Sequence, residues 1–206
     1  MKKDRLDKQL EFILAIDKEK NIFRQTYVSD ALRMENDAEH AWHMAVMCMI
    51  LSEYSEHPID KLKTMTMLLI HDLVEIYAGD TYAYAGVDAE EIHQREYAAA
   101  EKLYGMLPED QGIYFMNLWK EFEEGKSPEA QFARTMDRIQ PMMLNAATDG
   151  RAWKEHKVRL SQIMKRNEHT AEGSSVLWDY ALKHFVMPHV ESGEIIDDET
   201  HSAGLK

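Results

Sequence analysis

Apolar residues recur every three or four positions along almost the whole chain, while period-two alternation is scarce, so the pattern predicts helices. A first helix is expected over Asp4–Lys18, with Leu6, Leu10, Ile13 and Leu14 as its inward stripe. The period breaks over Asn21–Glu35, which predicts a connector or short irregular helix carrying Arg24, Tyr27 and Arg33. Asn36 with Glu39 three residues on makes a capping box and opens a helix to about Tyr54.

Pro58 and Asp60 open the next helix, which is expected to reach about Ile76 and to end at Gly79. Leu62, Met65, Met67, Leu68, Leu69, Ile70, Leu73 and Val74 cover almost its whole circumference, as a helix at the centre of a bundle requires. Thr81–Val87 reads as a loop, Asp88 with Glu91 caps a helix to about Tyr104, and Pro108 starts another that runs to Glu124 and stops at Gly125. Ser127 and Pro128 form an N-cap and N1 pair for a helix through Asp137, with Pro141 expected to bend or shorten it. Helices over Arg151–Asn167 and Ser175–Met187 come next, and the acidic stretch from Glu191 to Lys206 is expected to fray. No internal repeat or Pro/Ser-rich linker divides the chain. The expectation is one all-α domain over residues 1–190, followed by a tail over 191–206.

Composition narrows the partners. A chain of 206 residues with 45% hydrophobic content supports one full core. A net charge of -13 argues against binding a nucleic acid polymer, although a local basic group or a cation can still admit a small phosphate. The most apolar stretch, Met65–Ile70, falls far short of the ~20 residues that span a bilayer, and Met-Lys-Lys-Asp-Arg leads into charged helix, not a signal sequence. No membrane association and a cytoplasmic location are therefore expected. Cys48, the single cysteine, cannot form an intrachain disulfide or a Cys-rich zinc site and reads as a buried thiol. The 14 methionines read as adaptable core packing.

Against this apolar background, Asp72 on the central helix poses a burial problem, because a carboxylate there needs a cation, hydrogen bonds or a raised pKa. His71 and Glu75 are four apart and Asp72 and Glu75 three apart, so one metal can reach His71 and Asp72 with Glu75 over the adjoining position. His40 shares an inward stripe with Met44, Met47 and Leu51; it is either a satisfied core or cap histidine or a third ligand, and His43 one turn on competes for that role. Asp137 falls on an inner face with Ala130, Ala133 and Leu144, the competing reading being an ion pair with Arg134 or Arg138. Two imidazoles and two carboxylates make a mixed nitrogen and oxygen site. Such a set suits one divalent Mn, Co, Fe, Ni or Mg ion better than it suits structural zinc.

Glu39-His40, then His71-Asp72 on an apolar helix, then a late Asp137, set in "ENDAEHAWHMA", "LLIHDLVEIYAGD" and "EAQFARTMDRIQPMM", resembles the HD-domain metal-dependent phosphohydrolase superfamily. Within it the chain looks like the branch of YfbR-type bacterial 5'-deoxynucleotidases and their eukaryotic HD-domain relatives. The resemblance runs from about Phe23 to Asp149. It implies a single HD-domain helical bundle, a homodimer, and a metal-dependent 5'-nucleotidase that releases phosphate from (deoxy)nucleoside 5'-monophosphates. Carried over residue by residue, it implies metal ligands at His40, His71, Asp72 and Asp137, and an essential acidic pair at Glu75 and Asp80. The phosphate-contacting arginine falls on Arg24, with Arg33 as the competitor. The family's sugar-screening tryptophan is missing beside that arginine, where Gln25, Thr26 and Tyr27 stand, so Tyr27 occupies its region and a preference for deoxyribose is not implied.

In that setting Glu75 is placed to orient or deprotonate water, and Asp80 to protonate the leaving oxygen or hold a sugar hydroxyl. Loop residues Tyr82 and Tyr84 can stack on a base or pack on the domain. Two alternatives compete: a hydrolase of another phosphate ester or nucleoside polyphosphate, and a non-catalytic metal-binding scaffold. A scaffold has no need of Glu75 and Asp80. Only His93 stands between the dyad and Asp137 as a further histidine, which favours a single metal.

Overall fold

The computed structural model describes residues 4–79 and 89–198, so Asp80, Tyr82, Tyr84 and the rest of the expected 81–87 loop, and the Asp88 cap, lie outside the described residues. A reciprocal capping box between Asp4 and Asp7 opens α1 (Arg5–Ile16). Its inward residues are Phe12 and Ala15, whereas Leu6, Leu10, Ile13 and Leu14, the expected inner stripe, are each more than half exposed. The helix is rotated because its other face is held by α6 (Glu109–Glu124). Phe12 stacks on Phe115 with ring centroids 6.1 Å apart, Arg5 makes a two-pronged pair with Asp110, and Gln9 bonds Gln111.

After a 3₁₀ turn over Asp17–Asn21, the expected connector is a hairpin. β1 (Phe23–Tyr27) pairs antiparallel with β2 (Met34–Asn36), Phe23 opposite Asn36 and Tyr27 opposite Met34, with a register slip between them. Phe23, Thr26 and Tyr27 favour extended backbone, but strands of five and three residues are too short to display a convincing period. Asn36 then caps α2 (Asp37–Leu51) with Glu39 as expected, and a 3₁₀ turn extends it to Tyr54.

The expected long central helix is broken into three pieces. α3 (Lys61–Ile70) tightens into a 3₁₀ turn over His71–Val74 and relaxes into α4 (Glu75–Ala78), which ends at Gly79 with φ +79°. Leu62 and Leu69 face outward, so the helix is not buried on every side. α5 (Ala89–Tyr104) leads to α6, whose left-handed C-cap is Gly125, and Ser127 caps α7 (Pro128–Ala147). Pro141 does not end α7. It only withholds the N–H that would have bonded the Asp137 carbonyl one turn earlier.

The helix expected over Arg151–Asn167 is split into α8 (Arg151–Glu155) and α9 (Leu160–Arg166). Lys157 takes φ +51°, and Val158 plugs into the core while its carbonyl accepts from Ile196. α10 (Thr170–Gly173), α11 (Ser175–Ala181), a π turn over Leu182–Val186 and α12 (Met187–Glu191) complete the described helices. The beginning of the tail is packed, not frayed: Ile195 is buried and the Asp198 carboxylate accepts from the amide and hydroxyl of Ser161.

α2, α3 and α7 form the centre, meeting through Met44, Met67, Leu68, Phe132 and Met136, all of them fully buried, and α5 and α6 close over them with Leu103, Tyr104 and Trp119. Each such side chain contributes about 1.5–3 kcal/mol by leaving water. Met44, Met47, Met67, Met136 and Met142 are buried in the core while Met49 is exposed, and Cys48 is fully buried, its thiol pushed up to about 11 by that burial. Among the described residues no helix is long and apolar enough to cross a membrane.

Candidate metal centre

Three elements of the core deliver polar side chains to one point. α2 supplies His40 from its buried face, the 3₁₀ turn supplies His71 and Asp72, and α7 supplies Asp137 between Met136 and Ile139. The local tightening also sets the direction of α4. In a 3₁₀ turn residues three apart eclipse one another, so Asp72 is brought into line with Glu75 at the start of α4. The Tyr104 hydroxyl donates to the Ile70 carbonyl at 2.9 Å, just where the helix changes pitch.

One nitrogen of His40, one of His71 and one carboxylate oxygen of Asp72 all lie within 4.8 Å of one another. His40 Nε2 is 3.3 Å from Asp137 Oδ1, and His71 Nε2 is 3.1 Å from Asp72 Oδ1 and 3.9 Å from Asp137 Oδ1. The far nitrogens show how the rings are set. His71 Nδ1 lies 3.0 Å from the Leu68 carbonyl, which can only accept, so Nδ1 carries a proton and Nε2 is the atom turned to the cluster. His40 Nδ1 lies 2.9 Å from Gln140 Oε1, and Gln140 spends its amide N–H groups on Glu35 Oε1 at 2.7 Å and on His43 Nδ1 at 3.1 Å. His40 therefore also turns Nε2 inward.

These residues fit a divalent cation. His71 Nε2 is buried and makes no hydrogen bond of acceptable geometry, an arrangement that costs free energy unless a cation accepts the lone pair. The charges point the same way. Burial works to raise the Asp72 carboxyl, but His71 and Arg24 outweigh it and hold Asp72 below the usual carboxylate range; Asp137 is likewise held low by His40, Arg138 and His71 against its burial. His71 moves oppositely, since burial lowers it while Asp72 and Asp137 push it up to about 9. Two ionised carboxylates facing two imidazoles are what a cation would compensate in place of protons.

Arg24 reaches the cluster from β1. Its Nη1 is 2.8 Å from Asp72 Oδ2 and 3.3 Å from Asp37 Oδ1, and those carboxylates, with Asp137 and Glu75, keep the guanidinium charged against deep burial. The competitor Arg33 is elsewhere, paired with Glu39 at 2.6 Å on the exposed start of α2. Tyr27 is not brought to the cluster either: its hydroxyl donates to Glu155 at 3.0 Å and its ring lies under the Arg151 guanidinium. His43 stacks on Trp42 and bonds Gln140, leaving the cluster to His40. Glu75 is half-buried beside the dyad, Asp80 lies outside the described residues, and His93 is exposed as its charged surroundings suggest.

Residues that spacing did not single out complete the arrangement. Asp37, fully buried one turn before His40, shares Arg24 with Asp72, and Gln140, three residues after Asp137, orients His40. A glutamine among Ile139, Pro141 and Met142 on an inward face was the signal for the latter. Arg138 approaches Asp137 Oδ2 at 3.6 Å, so the ion pair that competes with a ligand role for Asp137 exists beside the cluster contacts.

Comparison with known proteins agrees with this geometry. A crystal structure described as a predicted metal-dependent phosphohydrolase from Magnetospirillum magnetotacticum MS-1 superposes with a TM-score of 0.86 at 41% sequence identity, over 93% of this chain and 95% of that one. The 5'-deoxynucleotidase HDDC2 proteins of Homo sapiens and Bos taurus are 30% and 32% identical over 139 residues, which is 67% of this chain. The matched region spans 66% of those relatives' own length. The sequence profile described as the HD domain matches residues 16–178, which takes in the hairpin, the dyad and the Asp137 helix. On that coverage the chain belongs to the HD-domain family.

Proposed function

We propose that the protein is a metal-dependent phosphohydrolase that releases phosphate from nucleoside or deoxynucleoside 5'-monophosphates. The observation that carries this reading is the convergence of His40, His71 and Asp72 within 4.8 Å, with both Nε2 atoms turned inward and Arg24 alongside. The names of the relatives, a metal-dependent phosphohydrolase and 5'-deoxynucleotidases, support it.

His40, His71, Asp72 and Asp137 would hold one divalent ion, and this mixed donor set suits Mn, Co, Fe, Ni or Mg. Such an ion supplies Lewis acidity and makes a water more acidic. The remaining work belongs to the chain's own residues. Glu75, in line with Asp72, takes the proton from the attacking water. Arg24 holds Asp72 and Asp37 in position through Nη1, and the other nitrogens of its fork can take a phosphoryl oxygen. Asp80 protonates the leaving sugar oxygen or holds a sugar hydroxyl. Arg33 and Tyr27, turned to Glu39 and Glu155, are left with a supporting place in the hairpin that carries Arg24. The protein acts as a homodimer in the cytoplasm.

The test is phosphate release from a panel of ribo and deoxyribo mono- and polyphosphates with Mn or Co added. Turnover of the monophosphates is expected to vanish on chelation and to fall about 100-fold or more in Glu75→Ala, while that variant still binds metal. A panel without metal-dependent turnover sinks the enzyme reading in favour of a metal-binding scaffold, and turnover confined to polyphosphates moves the substrate class.

A further inference from the structure

The protein carries a net charge of -13, yet one cavity gathers four Lys and Arg side chains against two glutamates. It occupies about 480 Å³ between the α6–α7 connection, the outer side of α7 and the end of α9, a volume within the range of small-molecule sites. Lys126, Arg134, Arg138 and Arg166 line it against the carboxylates of Glu124 and Glu172. The three arginines are half-buried, and none of His40, His71, Asp72, Asp137 or Arg24 belongs to the lining.

The two carboxylates of the cavity are engaged at its edge. Glu172 is taken by His169 Nδ1 at 2.7 Å, with Gln131 at 3.4 Å, and Glu124 lies 3.6 Å from Lys126 at the exposed rim. Arg134 Nη1 donates to the backbone carbonyl of Glu123 at 3.1 Å, and its charge partly offsets the burial that raises the carboxyl of that residue. Arg138 leans towards Asp137 at 3.6 Å, beyond hydrogen-bond distance, so its fork is not saturated there. Arg134 is also held in place by the backbone. Gly125 has φ +63°, and a Cβ there would sit 2.4 Å from Arg134 Nη1, so the glycine makes the space in which the guanidinium rests.

The geometry points to a second anion-binding site in this cavity, separate from the metal centre, that takes a small ligand carrying two or more linked phosphate groups. Guanidinium forks match phosphoryl oxygens, and low-dielectric walls strengthen each contact. Four cationic side chains converging on one cavity can reach the several oxygens of a polyanion, more than one phosphate presents. The lining has no aromatic face except His169, so it reads phosphate charge and offers little to a base. Inorganic pyrophosphate or tripolyphosphate and the phosphate chain of a nucleotide are the two sources of that chemistry. Binding in this cavity does not depend on hydrolase activity, because it is measured without metal.

Metal-stripped full-length protein is titrated calorimetrically with pyrophosphate, tripolyphosphate, a deoxynucleoside triphosphate and a monophosphate. Binding at one site per chain is expected, tighter for the polyphosphates than for the monophosphate, weakening as salt rises, and similar within about threefold for tripolyphosphate and the nucleoside triphosphate. Arg134→Gln combined with Arg166→Gln should lower the affinity at least tenfold. Lys126→Glu, on an exposed side chain where folding is not at stake, should lower it several-fold. Unchanged affinity in the Lys126→Glu protein overturns the proposal even if the double variant fails to fold. Binding lost in Arg24→Gln but intact in the pocket variants also overturns it, because the anion then sits at the metal centre.

Discussion

At the scale of single residues, the cluster depends on groups that never touch a substrate. Gln140 is a positioning residue: its Oε1 fixes the tautomer and rotation of His40, and its amide is in turn held by Glu35. Gln140→Leu is expected to weaken divalent metal binding by about 10–100-fold in a direct metal titration, and equal affinity in that variant would show that His40 needs no such orientation. Glu19 shows the opposite problem. It is buried in the 3₁₀ turn after α1 and its Oε1 has no hydrogen-bond partner, so burial first, and then Asp72 and Asp37, push its carboxyl up to about 7. A carboxyl whose folded pKa is raised binds protons more tightly when folded. Its contribution to stability is therefore complete below about pH 4.5 and is lost as pH rises through about 7. Glu19→Gln keeps the neutral form at every pH, so the metal-free variant should gain about 1–3 kcal/mol at pH 8 and almost nothing at pH 5, read as Tm against the parent protein. Equal Tm differences at the two pH values would show that Glu19 is not held neutral.

At the scale of elements, the parts of the site carried by long helices were legible in the sequence. Capping pairs such as Asn36 with Glu39 and Ser127 with Pro128 fixed where α2 and α7 begin, and once those starts are known, helical spacing turns His40 and Asp137 inward. The dyad stood out for a related reason, because an Asp in the apolar run Leu68–Val74 needs a cation, hydrogen bonds or a raised pKa. The rest stayed hidden because tertiary contacts set it. The 3₁₀ turn at His71–Val74 leaves the hydrophobic period almost unchanged, since i+3 neighbours exist in both helix types. The hairpin that carries Arg24 has one strand of three residues, below the length at which alternation can be read. The break at Lys157 results from Val158 being drawn into the core and Arg159 bridging to Ile196, a contact across 37 residues that no local window contains. Arg24 and Arg33 were separable only when the hairpin was closed, because Arg33 lies past the turn beside Glu39.

At the scale of the whole molecule, α1 carries an apolar stripe that no described residue covers. Leu6, Leu10, Ile13 and Leu14 do form a helical stripe, but the residues that dock α1 are Arg5, Gln9 and Phe12, and the stripe is 55–75% exposed. Four large aliphatic side chains on one face are more than the scattered exposure expected of a monomer, and the proposed homodimer would bury them against a second copy. Leu10→Glu with Leu14→Glu places two charges on that face without touching a core side chain, and sedimentation is expected to find a dimer for the parent protein and a monomer for the variant. Persistence of the dimer would move the interface to another exposed face, such as Trp42, Met49 and Ile50 on α2. Net charge supplies an independent check. Two copies of a chain at -13 repel one another, so an association driven by apolar contact should tighten as salt screens that repulsion. Anion binding in the basic cavity depends on attraction and should weaken under the same salt. The two processes can therefore be separated on one protein by the sign of their salt dependence.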